Sequence, residues 1–513
     1  MPKRLIKIVP KGATWHLYLQ ETCGLPKEAY VALSYCWGGP QPIQTTNENL
    51  HQLKNRISLP DLPLTLQDAV ATTNELGIGF LWIDALCIIQ DDDEDKGQEI
   101  SQMPRIYENA TVVIIASRAK NVRDGYLKPR KTPNHLKPFC GISFKDLESS
   151  DYGIITLYEP RRLGPSPEGM SEPLDDRAWA LQERLLARRA LDFGNLRTSW
   201  FCAQSKDQSL DGMYSDGWKG ANNDGRNAAE LRQDLFALKS NTEKPGIDIF
   251  AARESGINVW QDLLLIYTSR KLTVTEDRSL AISGIAEVFA SAFCDDYLGG
   301  LWKFTFPLGI LWRVLNPPRR RPASFQGPSW SWTSVNGPIS LQTWSPGEFV
   351  YHESNLKLID WNIKLAHEEA PFGGVVFGHL QVKGLLKPAS LVHDTKLETQ
   401  RLKAVNGPLY VSFDEDCLEE EFIDQDGGST PVYLLSVISL PLSHRHGEYR
   451  NYGANGLVLR ALENHQFSRL GLFLFSRHFC ERKKHESEEE WNQRWESQKT
   501  WFDGCEPQVI TLI

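Results

Sequence analysis

The chain lacks most of the features that settle a function at a glance. Its nine cysteines are scattered through 513 residues without a single Cys-x-x-Cys pair, so the spacing of a structural zinc site is missing. Reduced thiols, as kept in the cytosol or nucleus, are the simplest account of such cysteines. No apolar run approaches the roughly 20 residues needed to span a bilayer, and the opening Met1–Pro10 has no secretory h-region. A cytoplasmic protein without a membrane span is therefore expected. Positive charge is not in excess either: 56 Lys and Arg stand against 65 Asp and Glu, a net charge of −9. That excludes a general nucleic-acid surface, which needs clustered positive charge. Gly38 and Gly39 suit a tight turn or a close approach, but no Gly-Lys-Ser/Thr follows them to make a P-loop. There is no internal repeat.

What is present is apolar material for a core, 41% of the chain, and 16 tryptophans. The length suggests about two to four domains. The most informative stretch runs from Phe80 to Asp92. It reads as a buried strand, Phe80 to Ile83, ending in a polar cluster of Asp84, Cys87, Gln90 and Asp91. Strands covered on both faces read as continuous apolar runs, and open α/β sheets gather ligands beyond the carboxyl ends of their strands. Val31–Ser34 and Thr111–Ala116 are further apolar strands. Between them the spacing predicts a helix from Thr65 to about Leu76, with Thr65 and Asp68 as a capping box and Gly77 at its end. A second helix carries Ile100, Met103, Ile106, Tyr107 and Ala110, with Pro104 as a kink or late start. Strands alternating with helices predict an α/β fold around a parallel sheet.

Residues 118–174 read as a long insertion with strand-like pieces at 139–144 and 153–158, followed by a helix over about 176–187. The expected organisation is a first domain over 1–210, a helical accessory region over 211–335 and a β-rich region over 336–513. Within these, 215–247 reads as polar and partly mobile, 259–315 as a helical block, and 481–500 as a charged surface helix docked by Trp491 and Trp495.

Four segments carry a family resemblance. Tyr30-Val-Ala-Leu-Ser-Tyr-Cys-Trp-Gly, the strand running into Asp84 and Gln90, Met103-Pro-Arg-Ile-Tyr-Glu-Asn-Ala, and Arg177-Ala-Trp-Ala-Leu-Gln-Glu-Arg-Leu-Leu together resemble the fungal heterokaryon-incompatibility (HET) domain. Tyr267-Thr-Ser-Arg-Lys-Leu-Thr, Ala281-Ile-Ser-Gly-Ile-Ala and Pro328-Ser-Trp-Ser-Trp-Thr resemble the region that commonly follows it. The HET domain is similar in pattern to TIR domains, so the resemblance implies a flavodoxin-like sheet with helices on both faces. It further implies an intracellular fungal protein of nonself recognition and regulated cell death. NAD-cleaving TIR domains place a catalytic Glu four residues after a Trp on a helix, a spacing held here by Trp179 and Glu183. By the same resemblance Ser34, Tyr35, Trp37, Asp84, Cys87 and Arg177 would line the pocket.

Residues i and i+4 share a helical face, so Trp179 would offer a stacking surface beside the Glu183 carboxylate. Negative charge placed where cationic character develops is electrostatic catalysis. The plainer reading has Trp179 on a buried stripe and Glu183 as a salt-bridged or solvent-facing carboxylate. Cys87 as a nucleophile would need a nearby base and a lowered pKa, and no His lies within 30 residues of it; inert packing is the alternative. The acidic run Asp91–Asp95 could bind a divalent cation weakly, but it lacks EF-hand spacing and reads first as a solvated loop. Arg319–Arg321 and the pair His444 and His446 read as exposed loops, and Trp330 with Trp332 as core packing. Two functions follow. One is an NAD(P) glycohydrolase-like enzyme with NAD as substrate and no cofactor. The other is a non-catalytic signalling module that self-associates or engages another signalling protein, with a small-molecule biosynthetic enzyme as a further option on the same scaffold.

Overall fold

The computed structural model describes residues 1–12, 14–130, 138–145, 152–158, 172–203, 205–212, 228–242, 248–315, 321–341, 354–393, 402–404, 410–414, 430–439, 452–476, 487–499 and 501–513. The chain divides into two compact units, Met1–Gln233 and Asp234–Ile513. Among the described residues no helix is long and apolar enough to cross a membrane.

The first unit opens with a hairpin of β1 (Arg4–Lys11) and β2 (Thr14–Glu21). There follow β3 (Val31–Ser34), α1 (Leu50–Asn55), α2 (Leu64–Glu75), β4 (Phe80–Trp82), the one-turn α3 (Asp84–Cys87), α4 (Asp93–Asn109) and β5 (Val112–Ile115). An antiparallel pair, β6 (Pro138–Lys145) and β7 (Tyr152–Tyr158), forms its own small sheet within the region read as an insertion. Then come α5 (Ala178–Leu186), β8 (Arg189–Phe193), β9 (Arg197–Cys202) and β10 (Ser205–Gly212). The main sheet has the order β10-β9-β8-β5-β3-β4-β1-β2. Its four central strands, β4, β3, β5 and β8, are parallel. Numbered along the chain they lie in the order 2-1-3-4, that of a flavodoxin-type doubly wound sheet.

At both rims the sheet adds antiparallel strands to the expected parallel centre. β1 pairs antiparallel with β2 and β4, and β9 pairs antiparallel with β8 and β10. Within the β1–β2, β8–β9 and β9–β10 pairs the cause is connection length. Parallel neighbours need a crossover of about a dozen residues or more, and the turns joining these rim strands are too short for one. In the centre, every residue of β3 and β5 is buried, as the apolar runs require.

Two helix starts differ from expectation. α2 begins at Leu64 with Pro63 at its cap and no side-chain cap bond. Thr65 and Asp68 serve a distant turn instead: the Gly125 amide donates to Thr65 Oγ1 (3.1 Å), and the Tyr126 and Leu127 amides donate to Asp68 Oδ2 (2.7 and 3.1 Å). Gly77, at φ +68°, does end the helix. The acidic run is not a solvated loop. Asp92 caps α4 by accepting from the Glu94 and Asp95 amides (3.1 and 3.0 Å), which puts Asp93, Glu94 and Asp95 in the first turn. Acidic side chains are stabilised there by the helix dipole. Asp95 is buried and pairs with Lys3 (2.7 Å) and Arg4, while Asp91 accepts from the Asn47 amide (2.8 Å). Pro104 lies inside α4, whose span is unbroken from Asp93 to Asn109.

Part of the stretch read as polar and mobile is helix α6 (Ala228–Thr242), with Leu231, Leu235 and Leu238 buried at helical spacing. Residues 215–227 and 243–247 lie outside the described residues. In the second unit, α7 (Ile249–Thr268) and α8 (Ser283–Phe293) pack through Trp260 and Phe289, edge to face at 5.1 Å. Trp330 and Trp332 are buried, as expected of core side chains, and Trp332 Nε1 donates to the Gly300 carbonyl (2.6 Å). The β-rich region is a second, largely antiparallel sheet. Its strands Lys357–Leu365, Val375–His393, Thr430–Ser439, Tyr452–Ala461, Gln466–Ser476 and Tyr410–Phe413 neighbour one another in that order. Arg321 is not in a free loop: it donates to the Arg469 carbonyl (2.9 Å). Helix α9 (Glu488–Lys499) carries a half-buried Trp491. Arg319, Arg320, His444, His446 and the side chain of Trp495 fall outside the described residues.

Candidate functional site

The strand order reverses between β3 and β5, and it is beyond the carboxyl ends of such strands that open α/β sheets hold ligands. Chain geometry brings five elements to this point. β3 ends in Ser34 and continues into Tyr35, Cys36 and Trp37. β4 leads into Asp84, the first residue of α3. α5 carries Arg177 at its N-cap and Glu183 on its buried face, and α4 contributes Tyr107. A 2.6 Å contact from Arg184 to Asp192 of β8, and another of 2.8 Å to Ser117 Oγ, fix α5 over the strand ends.

Glu183 is 6% exposed. Ser34 Oγ donates to its Oε2, and the Tyr107 hydroxyl beside the site donates to the Leu33 carbonyl (3.0 Å). Asp84 is held on both oxygens: Trp37 Nε1 donates to Oδ2 (2.8 Å) and the Ala85 amide to Oδ1 (2.6 Å). The Tyr35 hydroxyl donates to Gln41 Oε1 (3.4 Å). Arg177 donates to the Tyr35 carbonyl, tying the start of α5 to the segment after β3. The structure thus brings Ser34, Tyr35, Trp37, Asp84, Arg177 and Glu183 into one group.

Burial dominates the electrostatics. It pushes Glu183 up to about 7, and the Asp84 charge adds to the rise, while Arg177, Ser34 and Tyr107 oppose it. Asp84 is likewise raised by burial, against Arg177, Trp37, the Ala85 amide and Tyr35. One guanidinium therefore faces two carboxyls, and a proton on Glu183 relieves their repulsion. Near neutral pH such a group can serve as an acceptor of hydroxyl protons, a stabiliser of positive charge or a proton donor.

Two residues lie differently. Trp179 is half-buried against the core of the sheet. Cys87 is fully buried, its thiol 3.9 Å from the Leu81 carbonyl, and burial pushes it up to about 12. Glu99 and Arg4 act on that thiol more strongly than Asp84 does. Gly38, at φ +69°, makes its close approach to the chain itself: a Cβ there would sit 2.0 Å from Asn121 Cβ. Gln90 bonds to the Asp84 and Ile88 carbonyls (3.1 and 3.2 Å) and shapes the turn after α3. Among the described residues no group of three or more His, Cys, Asp or Glu is placed to hold a metal ion.

Tyr107 is the member that the sequence reading missed. Helical spacing assigns it to the buried stripe of α4, and it is buried there, edge to face with Trp82 at 5.6 Å. The signal was the residue type: a buried Tyr, unlike Phe, needs a partner for its hydroxyl.

Residues 30–183 match the family model described as "Heterokaryon incompatibility protein (HET)". No curated protein and no solved structure matches the chain.

Proposed function

Because the chain carries a heterokaryon-incompatibility domain over residues 30–183, we propose that it acts in fungal nonself recognition and regulated cell death by cleaving the nicotinamide–ribose bond of NAD or a related nucleotide. The observation that carries this reading is the buried Glu183 carboxyl at the switch point of the sheet, bonded to Ser34 and within the field of Arg177 and Asp84. In the reaction the glycosidic C–N bond breaks and its electron pair leaves with nicotinamide. Ionised Glu183 would face the cationic ribose and accept its hydroxyl protons in place of that of Ser34. Water then adds to the anomeric carbon and releases its proton. Arg177 supplies the cation for a phosphate, and Trp37 and the Ala85 amide hold Asp84 in place.

Nicotinamide released from NAD by the purified protein tests this reading. Turnover is expected to rise with pH and level off above about 7, as the carboxyl ionises. Glu183→Gln is expected to lower it roughly 100-fold or more. Equal rates in the two proteins would remove Glu183 from the mechanism.

A second reading, signalling by self-association, is favoured by the strand Lys357–Leu365. Among the described residues it pairs only with Val375–His393, and Ile359 on it is 50% exposed. An open edge is a template for strand addition. Light scattering on the full chain, with and without Ile359→Lys, tests it; an unchanged monomer in both would end this reading.

A further inference from the structure

The second unit buries two arginines and treats them differently. Arg469 donates to both oxygens of Asp414 (2.9 and 3.1 Å), to the Ile310 carbonyl (2.6 Å) and to the Trp312 carbonyl, and its guanidinium lies 3.5 Å over the Trp312 ring. Every arm of that cation is occupied. Arg278 is 3% exposed, yet it has only the Gly337 carbonyl (3.0 Å) and the Trp332 ring, 5.5 Å away. Among the described residues no carboxylate pairs with it, and its Nε is buried without an acceptor. A buried cation left unpaired is costly to keep.

The chain fixes where this cation sits. The Tyr267 hydroxyl of α7 donates to the Arg278 carbonyl, and the Tyr267 ring lies edge to face with Trp332 at 6.2 Å. A second unsatisfied group belongs to the same neighbourhood. The Ser324 hydroxyl donates to Glu276 Oε1 (2.6 Å), so residues 322–327 lie against the turn that carries Arg278. Two residues beyond the ends of that bond come Arg278 and Gln326. Gln326 is 7% exposed, and both polar atoms of its amide are buried without a partner. Gly327 beside it packs on Thr333, next to Trp332: a Cβ there would fall 2.0 Å from Thr333 Oγ1. Arg278 and the Gln326 segment thus lie against neighbouring residues of one turn, Trp332–Ser334. Among the described residues 322–327 make no backbone hydrogen bond, so this segment can lift to admit a ligand.

We propose that Arg278 anchors a binding site for a hydrogen phosphate group, free or at the end of a small monoester, with the Gln326 amide as its second contact. The planar fork of a guanidinium suits such an oxyanion, and Nε supplies a donor that the fold leaves unused. The amide offers a donor and an acceptor together, which matches an oxyanion bearing its own O–H; a carboxylate has none to give. Trp332 braces the cation from one face. No covalent bond is made or broken. All these residues belong to the unit Asp234–Ile513, so the proposal does not depend on the role of Glu183.

Calorimetric titration of the full chain with inorganic phosphate, glycerol 3-phosphate and acetate tests it, at neutral pH and at constant ionic strength set with chloride. Phosphate or its monoester should bind, and the tighter of the two identifies the source. Gln326→Leu is expected to weaken that binding roughly tenfold. Arg278→Lys, which keeps the charge and loses the fork, should weaken it tenfold or more. With no anion present, Arg278→Met deletes an unpaired charge and should unfold in urea no earlier than the wild type, whereas Arg469→Met breaks a saturated pair and should unfold much earlier. The proposal is overturned if neither phosphate compound binds, if acetate binds equally well, if Arg278→Lys binds as the wild type does, or if Arg278→Met is destabilised as far as Arg469→Met.

Discussion

Glu183 holds its proton more tightly in the fold than its ordinary value of 4.5 allows, because burial raises it to about 7. The folded chain therefore binds more protons than the unfolded chain between these values, and stability falls as pH rises through that window. Above it the loss is constant. Urea unfolding of the wild type and Glu183→Gln at a series of pH values should give curves that diverge across this window, with the variant gaining roughly 2–4 kcal/mol relative to its low-pH difference. Parallel curves would show that the carboxyl is not desolvated as described. Cys87 makes the opposite point. Its thiol, pushed up to about 12 by burial, should resist alkylation in the native protein and react only after denaturation.

At the scale of elements, the same kind of residue does different work according to where the chain returns. Asp92 bonds to its own helix, whereas Asp68 bonds to amides 58 and 59 positions away. Asp92→Ala should cost about 1 kcal/mol, the usual loss of a cap. Asp68→Ala leaves two amides without their acceptor and should cost more, about 1–3 kcal/mol, as measured by chemical unfolding. Gly38→Ala should be worse than either, since it meets both a left-handed backbone and the Asn121 side chain. This is also where the sequence stops being legible. Apolar strands such as Val31–Ser34 announce themselves because burial on both faces demands one kind of residue. The Thr65 and Asp68 pairing cannot be read that way, because a hydroxyl and a carboxylate serve a helix start and a remote turn equally well. Of the site, Ser34, Asp84 and Glu183 were legible through the motifs around them. Tyr107 was not, since spacing alone cannot separate a packed ring from a packed ring whose hydroxyl bonds to a strand carbonyl.

At the scale of the whole molecule, the site residues all belong to the compact unit Met1–Gln233. Its sheet and core cluster draw on residues of that unit alone. A chain of residues 1–242, which keeps helix α6 whole, is therefore expected to fold by itself, with a cooperative thermal transition in circular dichroism; a featureless melt would show that the division does not reflect independent stability.

Because hairpins occupy both margins of the first sheet, the four parallel strands never meet solvent at an edge. Water must first peel away β1 and β2 on one flank, or β9 and β10 on the other, before it reaches them. Deuterium uptake should accordingly be slowest at the amides of Val31–Ser34 and Val112–Ile115, making the strands beneath the candidate site the last part of this unit to open.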